Sequence, residues 1–85
     1  RDSLDRDEAM LLAPCRCIHT VFMRFPIDAV FVSRSLAIVR VVRDIAPGRI
    51  VDGKSGAWGV VEMASGRSAD LQIEIGDVFT LCDSS

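Results

Sequence analysis

Apolar and polar residues alternate with period two through most of this chain, the signature of half-buried strands. Along 17–24, Cys17, His19, Val21 and Met23 fall on one side and Ile18, Thr20, Phe22 and Arg24 on the other. Residues 9–13 form a short apolar run ended by Pro14, and 27–33, 36–43, 57–63 and 78–82 complete six predicted strands. Pro26 has no N–H for a ladder, so the run breaks at Phe25-Pro26, where 17–24 and 27–33 are expected to turn back on each other. Ser33-Arg34-Ser35 makes a tight connection. Residues 46–56, with three Gly and one Pro, read as the longest loop. One short helix is predicted over 65–72, with Ser65 as N-cap. After it, Gly76-Asp77 makes a turn in which the carboxylate takes backbone N–H groups. The predicted class is α+β, a mostly antiparallel, curled, barrel-like sheet of about six short strands with one short helix.

Composition narrows this further. At 85 residues the chain is one domain, 1–85. Val and Ile number seventeen, which favours strands. Apolar residues at 49% and charged residues at 26% are close to globular averages, which argues against a disordered chain. The runs are too short for a membrane span, which needs about 18 apolar residues. A net charge of −2 gives no general attraction for nucleic acid, and with few aromatics interleaved no nucleic-acid partner is expected. Charge is nevertheless uneven. Residues 16–54 carry seven cations against Asp28, Asp44 and Asp52, while 55–85 carry Arg67 against five carboxylates. If the two parts fold apart, the protein has a basic and an acidic face. If they interleave in one sheet, the charges mix.

Three cysteines, Cys15, Cys17 and Cys82, make a poor disulfide framework. Reduced thiols and a cytoplasmic setting are the expectation.

A resemblance covers nearly the whole chain. Glu8-Ala9-Met10-Leu11-Leu12, Pro14-Cys15-Arg16, Ile18-His19-Thr20-Val21-Phe22-Met23-Arg24 and Pro26-Ile27-Asp28-Ala29-Val30-Phe31 are similar to the domain-of-unknown-function family 192, a prokaryotic family. So are Val61-Glu62-Met63-Ala64-Ser65-Gly66 and Ile73-Glu74-Ile75-Gly76-Asp77. The resemblance implies a small-barrel type of fold and no activity, since the family has none settled. The family also has a further strand before the position of Arg1; if it is absent here, a sheet edge is expected to be open to another chain. The family has Gly where Ala9 and Gln72 stand, so Gln72 is expected in a left-handed conformation at the helix end. The family's Asp-Gly turn is replaced near Arg34-Ser35.

Few residues carry candidate chemistry. Cys15, Cys17 and His19 stand at i, i+2 and i+4, one face of a strand, and thiolate with imidazole suits zinc or copper. Alternate side chains are about 6.6 Å apart, however, whereas a metal needs donors about 2.3 Å from it, so a bend and a fourth ligand are required. Otherwise the thiols are small core residues. A Cys–His nucleophile would need Asp28 to orient His19, which the expected hairpin places too far along the strand. Asp28, hemmed by Ile27, Ala29 and Val30, must be paired or bonded to backbone donors, with Arg16 or Arg24 as a candidate partner. Trp58 closes the Gly-rich loop, either covering a pocket or anchoring the loop. The reading is a non-catalytic module for a small ligand or protein partner, with no cofactor. Its pocket is lined by Arg16, His19, Met23, Asp28 and Trp58, with Arg16 or His19 meeting an anion. The alternatives are a metal or redox site at Cys15, Cys17 and His19, and a subunit that assembles through its open edge. A monomer or weak dimer is expected.

Overall fold

The run Ile27-Asp28-Ala29-Val30-Phe31-Val32 has no polar alternation, and a strand of that kind must be covered on both faces. A computed structural model describes residues 8–20 and 24–79 and shows how this is achieved. In chain order the elements are β1 (Ala9–Leu12), β2 (Cys17–His19), β3 (Ile27–Val32), β4 (Ile38–Ile45), β5 (Ile50–Asp52), β6 (Gly59–Ala64) and α1 (Arg67–Asp70). All six residues of β3 are buried. It lies inside an antiparallel sheet of order β1-β6-β3-β4.

Each face of that sheet has its own core. Ile27, Ala29, Phe31 and Val60 face a two-stranded ribbon, β2 with β5, and pack with Ile18, Ile45 and Ala57. Val30, Val32, Val61 and Met63 face the other way and pack with Ile38 and Ile73, beside Leu36 and Phe79. The molecule is therefore three layers: ribbon, sheet, and a cap made by α1 and the segment that follows it. Phe31 is fully buried, with Gly53 on its ribbon side. A Cβ on Gly53 would collide with the Phe31 ring and come within 2.7 Å of Ala57 Cβ, so only glycine lets the ribbon approach this closely.

The α+β class and the largely antiparallel pairing agree with expectation, but the barrel does not. The sheet is open and is not strongly curled. The reason lies in the ribbon. Residues 17–24 do not turn back on β3: β2 pairs with β5, Cys17 opposite Asp52, Ile18 opposite Val51 and His19 opposite Ile50. The stretch 46–56 thus contains a strand, since Ile50-Val51-Asp52 repeats the out-in-out pattern of Cys17-Ile18-His19. Thr20 closes the ribbon's end. Its buried Oγ1 accepts from Arg49 N at 2.7 Å and donates to Ala46 O at 2.9 Å, and its backbone N–H donates to Arg49 O. Residues 21–23 of the predicted strand lie outside the described residues.

The helix is shorter than 65–72. Gly66, at φ 91°, precedes it in place of Ser65, whose hydroxyl donates to Asp44 Oδ1 at 2.6 Å. Its far end agrees with expectation: Gln72 is left-handed, at φ 56°. Glu74 N donates to Asp77 Oδ2 at 3.0 Å, the turn predicted for that carboxylate. Of the predicted strand 78–82, Val78 bridges to Ala37, and residues from 80 onward lie outside the described residues.

Candidate functional site

Asp28 lies on the cap side of the sheet, fully buried and opposite Met63. Its Oδ2 accepts from Ser68 Oγ (2.7 Å), Ser68 N (2.9 Å) and Gly66 N (3.1 Å), and its Oδ1 from Asp44 N (2.9 Å). The donors come from an irregularity in β4, where Asp44 sits at φ 55°, and from the turn that starts α1. Neither Arg16 nor Arg24 is among these donors; backbone N–H groups and the Ser68 hydroxyl take that place, and Arg43 braces Ser68. Arg43 Nε donates to Ser68 Oγ at 2.9 Å and Nη2 to Ile73 O at 2.9 Å. Burial alone would raise the Asp28 carboxyl. The Ser68 hydroxyl and the three backbone donors outweigh that and hold it below the usual carboxylate range. Asp28 is a clamp joining β3, β4 and α1.

The ribbon carries the other nominated residues. Cys17 and His19 are exposed on the outer face of β2, beside exposed Asp52 and Ile50 of β5, and Ile50 is 70% exposed. Arg16 is exposed just before β2, and its carbonyl accepts from Gly53 N. Trp58 is half-buried, its N–H donating to Val32 O and its carbonyl accepting from Cys15 N. The backbones of Arg16 and Trp58 are thus stitched into one corner, with His19 further along the ribbon. Asp28 is separated from all three by the thickness of the sheet, and Met23 lies outside the described residues. This separation keeps Asp28 from orienting His19, so the Asp28-assisted nucleophile is not assembled.

Cys15 and Cys17 carry free thiols. Cys15 is turned inward: it packs on the ribbon-side core, and its Sγ donates to Cys17 O at 3.3 Å. Cys17 faces outward. Among the described residues no three His, Cys, Asp or Glu side chains gather closely enough to hold a metal ion. Cys82 lies outside them.

Sequence reasoning passed over Glu62. This residue of β6 is only 8% exposed and lies on the ribbon side, between Met10 of β1 and Ala29 of β3. Burial pushes its carboxyl up. A lone Glu inside Val60-Val61-Glu62-Met63 is the signal that pointed to it. The cap also bounds an open groove of about 550 Å³, lined by Arg43, Ala69, Gln72, Ile73, Glu74 and Asp77, which takes in none of the nominated residues.

The model of domain-of-unknown-function family 192, described as an uncharacterized ACR, matches residues 1–81. The chain belongs to that family. No curated protein matches it. Two crystal structures share the family 192 chain's fold. One is a protein of unknown function from Novosphingobium aromaticivorans DSM 12444, with TM-score 0.81 and 21% identity over 92% of this chain and 60% of that one. The other, from Sinorhizobium meliloti 1021, bears the name of a candidate transcription regulator, with TM-score 0.83 and 20% identity over 92% of this chain and 65% of that one. The family 192 chain therefore spans about three fifths of the length of the structures it matches. No helix among its described residues is long and apolar enough to cross a membrane.

Proposed function

We propose that this domain is a non-catalytic binding module whose outer ribbon face receives an acidic protein segment. The observation that carries this reading is the sorting of charge between the layers. Residues 15–20 and 46–56 present Arg16, Arg49 and Lys54, all exposed, against Asp52, with His19 among them. Residues 65–79 on the opposite layer present Arg67 against Asp70, Glu74 and Asp77. The Asp52 carboxylate is occupied by Lys54 N at 2.9 Å. A basic strip around exposed Ile50, with the half-buried Trp58 at one corner, suits a carboxylate-rich segment with an apolar side chain.

The test is a titration of labelled protein with hexaglutamate, followed by amide shifts. Shifts at residues 16–19 and 49–54 support the reading if they vanish in Arg16→Ala/Arg49→Ala and in about 1 M salt, where screening acts within about 3 Å. A wild type that ignores millimolar hexaglutamate overturns it. A duplex oligonucleotide forms the second arm, because one structural neighbour bears a regulator's name. Response to the duplex alone would move the ribbon to nucleic acid and refute the acidic-segment reading.

A further inference from the structure

Among the described residues the two most exposed large apolar side chains are Ile50, at 70%, and Ile75, at 69%. They stand on opposite layers. Ile50 projects from the outer face of β5, next to Arg49 and opposite His19, with Arg16 and Lys54 exposed on the same ribbon. Ile75 projects from the cap, between exposed Glu74 and exposed Gly76-Asp77. Arg43 lines the same stretch of groove as Glu74 and Ile75, but its Nε is given to Ser68 Oγ and its Nη2 to Ile73 O. Arg67 is matched in charge by Asp70. The cap tip is held in place: Gly76 N donates to Ile38 O at 2.9 Å, Ile38 N to Asp77 O at 2.7 Å, and Glu74 N to Asp77 Oδ2. Both side chains are thus presented on fixed backbone, which lowers the ordering cost of a contact. One exposed isoleucine is ordinary. Two of them, one among cations and one among carboxylates, cannot meet within a molecule that puts a sheet between them; between two molecules they are complementary in shape class and in charge.

We infer that the acidic segment received by the ribbon is residues 74–77 of a second copy of this chain, an inference that rests on the ribbon reading and names its partner. Ile75 of one copy packs on Ile50 of the next, and Glu74 and Asp77 face Arg16, Arg49 and Lys54. The two faces differ, so the contact is head-to-tail. A dimer then keeps one free ribbon and one free cap and can add further copies. The contact is small, so the association is weak and reversible.

Sedimentation equilibrium of the full chain tests this, from about 20 µM to about 1 mM in low salt. The average mass should rise with concentration and fall back toward the monomer in about 1 M salt. Two variants divide the contact. Arg16→Glu/Arg49→Glu spoils the ribbon and keeps the cap, whereas Glu74→Gln/Ile75→Ser spoils the cap and keeps the ribbon. Each alone should associate about tenfold or more weakly than the wild type. Their equimolar mixture should recover the association and stop at a heterodimer, which a symmetric contact would not do. A mixture that stays monomeric, or either variant associating as the wild type does, overturns the inference. Should a variant fold poorly, the wild type decides by itself: its amide shifts must move with concentration at both 49–51 and 74–77, and movement at only one of them overturns the inference. So does a wild type that stays monomeric throughout; uptake of hexaglutamate by that same dilute protein would leave the ribbon reading standing, and its absence would remove both.

Discussion

Replacing Asp28 by Asn removes one negative charge and one acceptor with almost no change of shape. Asparagine has one carbonyl oxygen. If it keeps the three donors now on Oδ2, its amide nitrogen faces Asp44 N, donor against donor. The charged bond lost is worth about 1.5–3 kcal/mol, and the stranded Asp44 amide costs about 1–3 kcal/mol. Relief of the buried charge offsets part of this. A net loss of about 3 kcal/mol is expected, against a total of roughly 4–13 kcal/mol for a domain of this size. The thermal midpoint should fall by about 12–24 °C. Urea unfolding should show a lower midpoint with an unchanged slope. The sign of the pH dependence follows from the lowered carboxyl. The contribution of Asp28 is complete above its unfolded value of about 3.9 and is lost as the pH falls through the lower folded value. The deficit of the variant must therefore shrink in acid. A loss below about 0.5 kcal/mol at neutral pH, smaller than the net worth of a single bond, would refute the clamp. So would a deficit that stays constant down to the acid end.

Other outcomes follow from the same geometry. Gly53→Ala should cost about 1–3 kcal/mol in urea unfolding by driving a methyl into Phe31, and Phe31→Leu should recover part of that loss in the double variant. Gln72→Gly should raise stability by about 0.5–1 kcal/mol, seen as a higher urea midpoint, because its left-handed φ suits glycine. Glu62→Gln should be more stable than the wild type at neutral pH. With its carboxyl raised, Glu62 favours folding most below its unfolded value and loses that as the pH rises through the folded value, so the advantage of the variant should grow with pH.

Much of the fold was legible because burial writes itself into pattern. The strand predicted over 27–33 is present as β3, and its largely apolar side chains are covered on both faces. The left-handed Gln72 was visible because a position where the family has glycine holds a side chain here. Pairing was not legible. Residues 50–52 are only three long and sit among glycines, so their alternation was outweighed by turn residues. Once β5 was missed, β2 was left with β3 as its only partner, and the barrel and the pocket with Asp28 followed from that choice. Asp28 was correctly expected to need partners. Its donors come from residues 44, 66 and 68, and no spacing in the chain announces that they meet. The position of Glu62 was visible in the sequence, but its burial was not, since the pairing of β6 with β1 and β3 is what covers it.

Exchanging the charge of the ribbon is the most direct test of its proposed role. Arg16→Glu/Arg49→Glu alters two exposed side chains and should leave the thermal midpoint close to that of the wild type. The variant is expected to lose hexaglutamate and to gain hexalysine at the same ribbon amides. If wild type and variant respond alike to both peptides, the ribbon face is not the binding surface.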